Sequence, residues 1–229
     1  MNPELIIMLT YNDTTVPNAR QMFAELKTLP VQHWGFKDVG LPVEDMRTLV
    51  AEMRAAAKTT YLEVVSLSEP EGLAGAHLAV EAGFDTLMGT VYFDSIRQYL
   101  ANTTVKYYPF LGHVYGHPSI LTGTVAEIAS QARFLEAQGV DGFDLLTYRY
   151  TGDAQQLLRA VVRATKLPVV SAGSIDSFER IAQVKQAGAW AFTIGTAFFE
   201  ARFATGGSFR ENSDAVWDAL HNAGPGAEV

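Results

Sequence analysis

The sequence predicts an α/β fold in which a single domain forms a (β/α)8 TIM barrel, and three observations support this prediction. Short runs typical of β-strands alternate with longer runs of helical periodicity, as in parallel βα units. Eight such pairs can be counted along 229 residues, and this length is usual for the fold. A glycine also recurs at the helix-to-strand joints, at Gly83, Gly139 and Gly188.

The predicted strands are short runs of mainly apolar residues. In chain order they are Leu5–Leu9, Gln32–Phe36, Tyr61–Val65, Thr86–Met88, Val105–Phe110, Gly142–Leu146, Val169–Ser171 and Ala191–Ile194. The predicted helices that follow them are Pro17–Leu29, Val43–Lys58, Pro70–Ala82, Phe93–Ala101, Val125–Gln138, Ala154–Thr165, Ser177–Ala187 and Ser213–His221. Pro17, Pro42 and Pro70 stand where helices begin, which is where a missing N–H costs least.

The glycine joints favour a repeating, closed array of units. Glycine adopts the left-handed conformation that ends a helix at little energetic cost, and each of these joints leads into a predicted strand. An open, doubly wound sheet is the alternative fold. Such sheets usually bind dinucleotides through a glycine fingerprint after the first strand, whereas residues 10–15 contain no glycine, which favours the barrel.

Composition excludes several classes of protein. Seventeen Lys and Arg against 25 Asp and Glu give a net charge of −8, so we expect no nucleic-acid partner. The absence of cysteine excludes a disulfide scaffold, a thiolate metal site and a cysteine nucleophile, and we expect neither a metal nor a cofactor. No run reaches the roughly 20 apolar residues of a membrane span and no signal peptide is recognisable, so a cytoplasmic protein without membrane contact is expected. Residues 1–222 are expected to form the barrel and residues 223–229 a flexible tail, and a homo-oligomer is left open.

The clearest functional signal is a pair of loops after the seventh and eighth predicted strands. Gly173 and Ser174 follow one strand, and Gly195 and Thr196 follow the other. At this place in a barrel, small residues let backbone N–H groups approach a phosphate. The sequence therefore predicts a phosphate site at these four residues. The alternative interpretation is that the glycines only turn the chain.

Two charged residues accompany apolar strand segments and are candidates for catalysis. Lys37 follows the second predicted strand and Glu63 lies within the third. Burial lowers the pKa of a lysine and raises that of a glutamate, which suits them to Schiff-base formation or proton transfer. The alternative is a structural ion pair of Lys37 with Asp38 or Glu63. Asp144, in the sixth predicted strand, is interpreted instead as a strand-start carboxylate at the polar bottom of the barrel.

The loops after the first, fifth and sixth strands supply further polar candidates. His113 could move a proton, although a solvated loop histidine is the alternative. Asn12 and Asp13 could contact a substrate or only form an Asx turn or helix cap. The candidates for substrate binding are Asn12, Asp38, Tyr148 and Arg149, of which Arg149 could hold a second anionic group.

Several segments resemble the ribulose-phosphate-binding barrels. They are Gly83–Thr90 (GFDTLMGT), the fifth-to-sixth unit, and Ile194–Phe203 (IGTAFFEARF), and they are similar to the phosphoribosyl isomerase and cyclase barrels of histidine biosynthesis. The C-terminal third also resembles N-acetylmannosamine-6-phosphate epimerase. The resemblance covers about the second half of the chain and implies a phosphate-binding barrel, without implying one reaction.

The chain also departs from the histidine-pathway isomerases. Those enzymes carry a catalytic Asp at the end of strand one and another on strand five, where this chain has Met8–Tyr11 and Tyr108–Leu111. Asp13 is the shifted candidate for the missing acid. The second phosphate motif of that family is also incomplete, because Ser66–Ser68 lacks glycine, which favours a substrate with one phosphate.

Three functions follow from these residues. The first is an enzyme that isomerises or epimerises a phosphorylated sugar or related small phosphometabolite, with Lys37 and Glu63 exchanging a proton beside a carbonyl. The second is a class I aldolase or decarboxylase with Lys37 as the imine-forming lysine. The third is a sensor that binds a phosphometabolite and has lost catalysis.

Overall fold

Eight parallel strands close into a barrel in the computed structural model, which describes residues 2–221. The strands are β1 (Glu4–Met8), β2 (His33–Lys37), β3 (Thr59–Val64), β4 (Thr86–Val91), β5 (Lys106–Phe110), β6 (Phe143–Leu145), β7 (Val169–Ser171) and β8 (Ala191–Ile194). Each strand pairs with its neighbours in the chain, and β1 closes the ring by pairing with both β2 and β8. The predicted (β/α)8 barrel is therefore confirmed.

The helices lie outside the barrel and connect its strands. They are α1 (Ala19–Leu26), α2 (Val43–Ala55), α3 (Glu69–Ala82), α4 (Asp94–Leu100), α5 (Val125–Gln138), α6 (Ala154–Ala164), α7 (Phe178–Ala187), α8 (Thr196–Phe199) and α9 (Phe209–His221). Gly83, Gly139 and Gly188 end α3, α5 and α7 with φ of 81°, 81° and 79°, as the glycine joints predicted.

The apolar core has two layers. The larger layer lies between the strands and the helices. The smaller layer fills the inside of the barrel and consists of Ile6, Met8, Tyr61, Met88, Tyr108, Val170 and Ala191, with Trp190 packed against it. His33, the first residue of β2, lies 2.8 Å from the Tyr61 hydroxyl through its Nδ1. This inner layer plugs the amino-terminal part of the barrel.

Two β-hairpins rise from the carboxyl ends of the strands, and neither was predicted. The first hairpin follows β1 and pairs Thr10–Tyr11 with Thr14–Thr15, and the second follows β5 and pairs His113–Tyr115 with Ile120–Thr122. Because β1 and β5 are four strands apart in a ring of eight, the hairpins stand on opposite sides of the barrel mouth.

Two further predictions concern membrane spans and the boundary between the barrel and its tail. No helix within residues 2–221 is long and apolar enough to cross a membrane. The predicted boundary between residues 222 and 223, and the tail beyond it, lie outside the described residues.

Candidate active site

A cavity of about 500 Å³ opens at the carboxyl ends of the strands. This is the end of a barrel at which active sites are found. Nine of the residues singled out from the sequence line it: Asn12, Asp13, Lys37, Glu63, Arg149, Gly173, Ser174, Gly195 and Thr196. The fold thus brings the predicted acid–base residues and the predicted phosphate loops into one space.

Lys37 is held between two carboxylates at the floor of this cavity. Its Nζ lies 3.1 Å from Asp13 Oδ1 and 2.9 Å from Glu63 Oε1, and all three residues are 6% exposed or less. Lys37 and Glu63 meet because they are in register on the neighbouring parallel strands β2 and β3. The ion pair with Glu63, which sequence reasoning gave as the structural alternative, is therefore present inside the candidate site.

The first hairpin fixes the backbone of Lys37 and supplies the second carboxylate. The buried Thr15 hydroxyl donates to the Lys37 carbonyl at 2.8 Å, and the Lys37 amide donates to the same hydroxyl at 2.9 Å. Asn12 and Asp13 form the turn of this hairpin with φ of 48° and 61°. Positive φ at both central residues is typical of a type I′ turn, which Asn and Asp tolerate better than most residues. The turn directs the Asp13 side chain into the cavity.

Arg149 connects the Asp13 carboxylate to the predicted phosphate loop. It ends a single 3₁₀ turn, Thr147–Arg149, after β6, and its guanidinium donates to Asp13 Oδ2 at 2.5 Å and to Oδ1 at 2.7 Å. This fork is the strong, two-bond geometry of an arginine–carboxylate pair. The Arg149 side chain also lies across Gly173, where an added Cβ would come within 3.0 Å of Arg149 Cδ.

The charges of this cluster decide the protonation of two of its members. Burial alone would lower the pKa of Lys37, but the Glu63 and Asp13 carboxylates outweigh it and raise that pKa above its usual value. Burial would raise the pKa of Asp13, but hydrogen bonds from Arg149 and the charges of Lys37 and Arg149 hold it well below the usual range. At neutral pH the site therefore contains an ammonium group at Lys37 and a carboxylate at Asp13.

The two predicted phosphate loops lie beside this cluster. Gly173 and Ser174 have φ of 78° and 57°, two successive residues in the left-handed region. Gly195 has no room for a side chain, because an added Cβ would come within 2.5 Å of the Thr10 hydroxyl. The Asn12 amide donates to the Thr196 hydroxyl at 3.1 Å, which joins the first hairpin to the loop after β8.

Two further carboxylates line the cavity at the phosphate-loop end and were not predicted. Asp176 pairs with Arg180 at 2.8 Å, and Glu200 pairs with Arg202 at 3.0 Å. Each of these carboxylates therefore has an arginine partner, and both ion pairs are partly exposed to solvent.

Three residues proposed from the sequence are not among the described residues that line the cavity. His113 lies exposed on the second hairpin. The Tyr148 hydroxyl donates to the carbonyl of Arg180 in α7 at 3.0 Å. The Asp38 carboxylate accepts a hydrogen bond from the Val65 amide at 3.0 Å and so ties the ends of β2 and β3 together.

The interpretation of Asp144 as a carboxylate at the polar bottom of the barrel is wrong. Asp144 is 0% exposed, is the middle residue of β6, and is in register with Val170 of the inner core layer. Neither of its oxygens makes a hydrogen bond of normal distance and angle within residues 2–221, although the backbone amide of Gly89 lies close enough to lower its pKa a little. Burial, and then the charge of Glu63, raise the pKa of Asp144 well above its usual value. Asp144 is therefore a buried acid beneath the cavity.

Sequence reasoning also missed the apolar side of the cavity. Pro118, Ser119 and Ile120, at the tip of the second hairpin, line it together with Leu146 and Ile175. Gly116 and Pro118 are residues typical of turns, but the hairpin strands beside them are only three residues long and give no clear pattern. Within the described part of the chain, no group of three His, Asp or Glu side chains is arranged to hold a metal ion.

Comparison with known proteins extends the resemblance found in the sequence. No family model matches the chain. Over 101 residues it is 36% identical to a protein of Enterobacter sp. (strain 638) named as an N-acetylmannosamine-6-phosphate 2-epimerase. This match covers 38% of the chain and only 42% of that relative.

Solved structures give the same result for the fold. The orotidine 5′-phosphate decarboxylase of Pyrococcus horikoshii OT3 has a TM-score of 0.66 at 14% identity, covering 94% of this chain and 98% of that one. The N-acetylmannosamine-6-phosphate 2-epimerase of Clostridium perfringens has a TM-score of 0.61 at 13% identity, with coverages of 85% and 86%. The tryptophan synthase alpha chain of Legionella pneumophila subsp. pneumophila has a TM-score of 0.67 at 15% identity, with coverages of 98% and 94%.

The chain is similar to the ribulose-phosphate-binding barrels. This confirms the resemblance to these barrels that the sequence indicated. At 13–15% identity, the likeness to the solved structures concerns the fold and does not specify a reaction.

Proposed function

We propose that this protein is an isomerase or epimerase of a phosphorylated sugar or a related small phosphometabolite and that it works by proton transfer. The observation that carries the proposal is the buried Asp13–Lys37–Glu63 cluster, which lies in the same cavity as the Gly173–Ser174 loop. The partial match to an epimerase of a sugar phosphate supports the same class of reaction.

Glu63 is the proton acceptor in this proposal. Its carboxylate pairs with one cation, the Lys37 ammonium at 2.9 Å. Asp13, in contrast, accepts hydrogen bonds from both Arg149 nitrogens and from Lys37, and its depressed pKa makes it a poor base. Glu63 is thus the carboxylate of the cluster that is freer to take a proton from carbon.

Lys37 is the electrophile. When Glu63 removes a proton from the carbon beside a carbonyl, the electron pair of the C–H bond moves onto the carbonyl oxygen. An ammonium group within hydrogen-bond distance stabilises the negative charge that develops there. When Glu63 returns the proton to the neighbouring carbon, and the hydroxyl there passes its proton to the former carbonyl oxygen, the product is an isomer. When the original carbon is instead protonated on its other face by the Lys37 ammonium, the product is an epimer. Proton transfer across the 2.9 Å contact between Glu63 and Lys37 then restores both groups.

Asp13 and Arg149 act as positioning residues. Asp13 holds the Lys37 ammonium at 3.1 Å, and Arg149 holds Asp13 through two hydrogen bonds. Because Arg149 also packs on Gly173, the same side chain links the acid–base residues to the predicted phosphate loop.

One phosphate group is proposed to bind at the loops after β7 and β8. Gly173 and Ser174 line one side and Gly195 and Thr196 the other, and all four border the cavity. Backbone N–H groups of such loops are suited to a phosphate in this fold. A substrate bound there extends from its phosphate toward Lys37 and Glu63.

The first test is a thermal-shift panel of sugar phosphates, inorganic phosphate and the matching unphosphorylated sugars. A ligand at 100 times its Kd adds about 2.7 kcal/mol, which raises Tm by roughly 5–11 °C for a domain of this size. We expect the phosphorylated compounds to stabilise the protein and the free sugars to have no effect. Equal effects of both sets would contradict the phosphate site.

The second test is exchange of the substrate C–H with solvent deuterium, followed by NMR on the ligand that stabilises best. Lys37→Met and Glu63→Gln are expected to abolish exchange. Lys185→Met, which removes an exposed lysine on α7, is the matched control and should exchange like the wild type. Full exchange in both site variants would remove these residues from the mechanism, and binding without exchange in the wild type would favour the sensor.

The aldolase alternative makes a different prediction for Lys37. An imine forms from a neutral amine, whereas two carboxylates raise the pKa of Lys37 and keep it protonated at neutral pH. We therefore expect no mass increase on Lys37 after borohydride reduction with a substrate that exchanges deuterium. A mapped adduct on Lys37 would assign the protein to the imine-forming class instead.

A further inference from the structure

The proton-transfer proposal leaves one buried acid unused. Asp144 lies on the inner face of the barrel, in the middle of β6 and in register with Val170. Its side chain is completely buried, and neither carboxyl oxygen makes a hydrogen bond of normal distance and angle within residues 2–221. The nearby backbone amide of Gly89 lowers the pKa of Asp144, but its effect is smaller than those of burial and of the surrounding charges. A buried carboxyl group is normally ion-paired or hydrogen-bonded, so this arrangement needs an explanation.

The charges around Asp144 are already balanced without it. The cluster above it holds two cations, Lys37 and Arg149, and two anions, Asp13 and Glu63, which are joined to each other by contacts of 2.5–3.1 Å. Each cation has its carboxylate partner. A charge on Asp144 would therefore be a third, uncompensated anion at a fully buried position.

Glu63 and Asp144 consequently differ in the charge they can carry. Glu63 has the Lys37 ammonium at 2.9 Å, whereas Asp144 has no ion pair within residues 2–221. Gly89, whose amide is near Asp144, also borders the Glu63 side chain, because an added Cβ there would come within 3.2 Å of Glu63 Cγ. The charges of Lys37 and Arg149 lower the pKa of Asp144 but offset only part of the increase caused by burial and by Glu63. When two carboxyl groups influence each other in this way, the one with the cation ionises and the other keeps its proton. The pair then carries a single negative charge.

We propose that Asp144 is a positioning residue for the base: it remains a neutral carboxylic acid beneath the cavity and keeps the single negative charge of the Glu63–Asp144 pair on Glu63. It acts through Glu63, because it does not line the cavity and does not reach a bound molecule there. The role of Asp144 in catalysis rests on the proposed function, but its protonation state can be measured without any substrate.

The test is a pH titration by NMR of protein labelled with ¹³C at the aspartate carboxyl carbon. In the wild type we expect one aspartate signal with the shift of a protonated acid at neutral pH, and we expect Asp144→Asn to remove it. In Glu63→Gln the neighbouring charge is gone, so the midpoint of that signal should fall by at least about one pH unit, a tenfold change in proton affinity.

Asp153→Asn is the matched control in this experiment. Asp153 caps α6 at the surface by accepting a hydrogen bond from the Gln156 amide, so its replacement should leave the protonated signal in place. An Asp144 signal that is ionised at neutral pH, or one whose midpoint is the same in Glu63→Gln, would overturn the inference. A structural role for Asp144 alone does not move that midpoint.

A second measurement keeps the inference testable if the NMR signal cannot be assigned. The raised pKa of Asp144 means that the folded protein keeps a proton that the unfolded chain releases above about pH 3.9. Wild-type stability should therefore fall as pH rises above that value, relative to Asp144→Asn, which has no proton to keep. The Tm of Asp144→Asn minus that of the wild type should increase from pH 5 to pH 8, and a constant difference would refute the neutral acid.

These outcomes are separate from those of the proposed function. If Asp144 is protonated but no ligand exchanges deuterium, the inference about Asp144 stands and the isomerase proposal is refuted. If a ligand exchanges deuterium but Asp144 is ionised at neutral pH, the isomerase proposal stands and the inference about Asp144 is refuted.

Discussion

Asp13→Asn is the substitution that tests the central ion cluster most directly. Asp13 accepts three hydrogen bonds from charged groups, two from Arg149 at 2.5 and 2.7 Å and one from Lys37 at 3.1 Å. The asparagine side chain has nearly the same shape but no charge, and its amide nitrogen faces Arg149 or Lys37, from which it cannot accept a hydrogen bond. The cluster is left with two cations and only Glu63 as an anion.

The expected cost follows from the burial of these groups. The Asp13 and Lys37 side chains are 6% and 8% exposed, so solvent screens their interaction little. Removing one partner of a buried ion pair costs about 3–5 kcal/mol. For a domain of this size, where each kcal/mol moves Tm by about 2–4 °C, we expect Tm at pH 7 to fall by roughly 6–20 °C.

The assay is thermal unfolding of the wild type and two variants, followed by circular dichroism. Asp176→Asn is the matched control, because it makes the same replacement at the same cavity. The Asp176–Arg180 pair is 41% and 35% exposed, so its loss should cost no more than about 1 kcal/mol.

The stability difference between the wild type and Asp13→Asn should also depend on pH. Because the pKa of Asp13 is held well below its usual value, its contribution is present above the unfolded value of about 3.9 and is lost as pH falls below it. The difference between wild type and Asp13→Asn should therefore shrink as the solution is acidified below about pH 4. A loss no larger than that of Asp176→Asn, or a loss that does not change in acid, would refute the cluster as described.

The remaining predictions concern the scaffold. Thr124→Ala removes the capping box that Thr124 and Glu127 form at the start of α5, and it should lower the free energy of unfolding in urea by about 0.5–2 kcal/mol. Gly89→Ala should cost about 1–3 kcal/mol more than Gly206→Ala, because an added Cβ at Gly89 lies 2.4 Å from the Val64 carbonyl oxygen. Gly206 has a similar φ of 73°, and an added Cβ there would meet no atom within 4 Å. Its alanine variant therefore measures the cost of the backbone conformation alone, about 1–2 kcal/mol. Equal losses of stability in the two variants would contradict the close approach at Gly89.

The architecture could be predicted because its signals are local. Helical periodicity, proline at helix starts and glycine at helix ends each depend on a few neighbouring residues. Gly83, Gly139 and Gly188 all have the left-handed conformation that their positions indicated. The strand after Gly83 is longer than predicted, since β4 continues to Val91 through a bulge at Gly89.

The site residues could be predicted only where their position along a barrel strand determines that they face the cavity. Lys37 and Glu63 end neighbouring strands or nearly so, and residues there face the mouth of the barrel. Asp144 could not be placed in the same way. Its strand has three residues, and a shift of one residue would turn its side chain from the barrel interior to the helix side.

The first hairpin escaped prediction for a different reason. Asn12 and Asp13 suit an Asx turn, a helix cap and a type I′ hairpin alike, and the hairpin strands contain only two residues each. The contact between Asp13 and Arg149 joins residues 136 positions apart, which no local pattern encodes.

Asp13 comes from a hairpin turn and not from a barrel strand, and this has a consequence for the charge of Lys37. The barrel strands supply Lys37 and Glu63, while residues 10–15 add the anion that keeps Lys37 protonated. A change in residues 10–15 therefore leaves every barrel strand in place but removes one of the two carboxylates beside Lys37, and the pKa of Lys37 is then raised by Glu63 alone. The charge of a strand residue is thus set in part by a loop that lies outside the ring of eight strands.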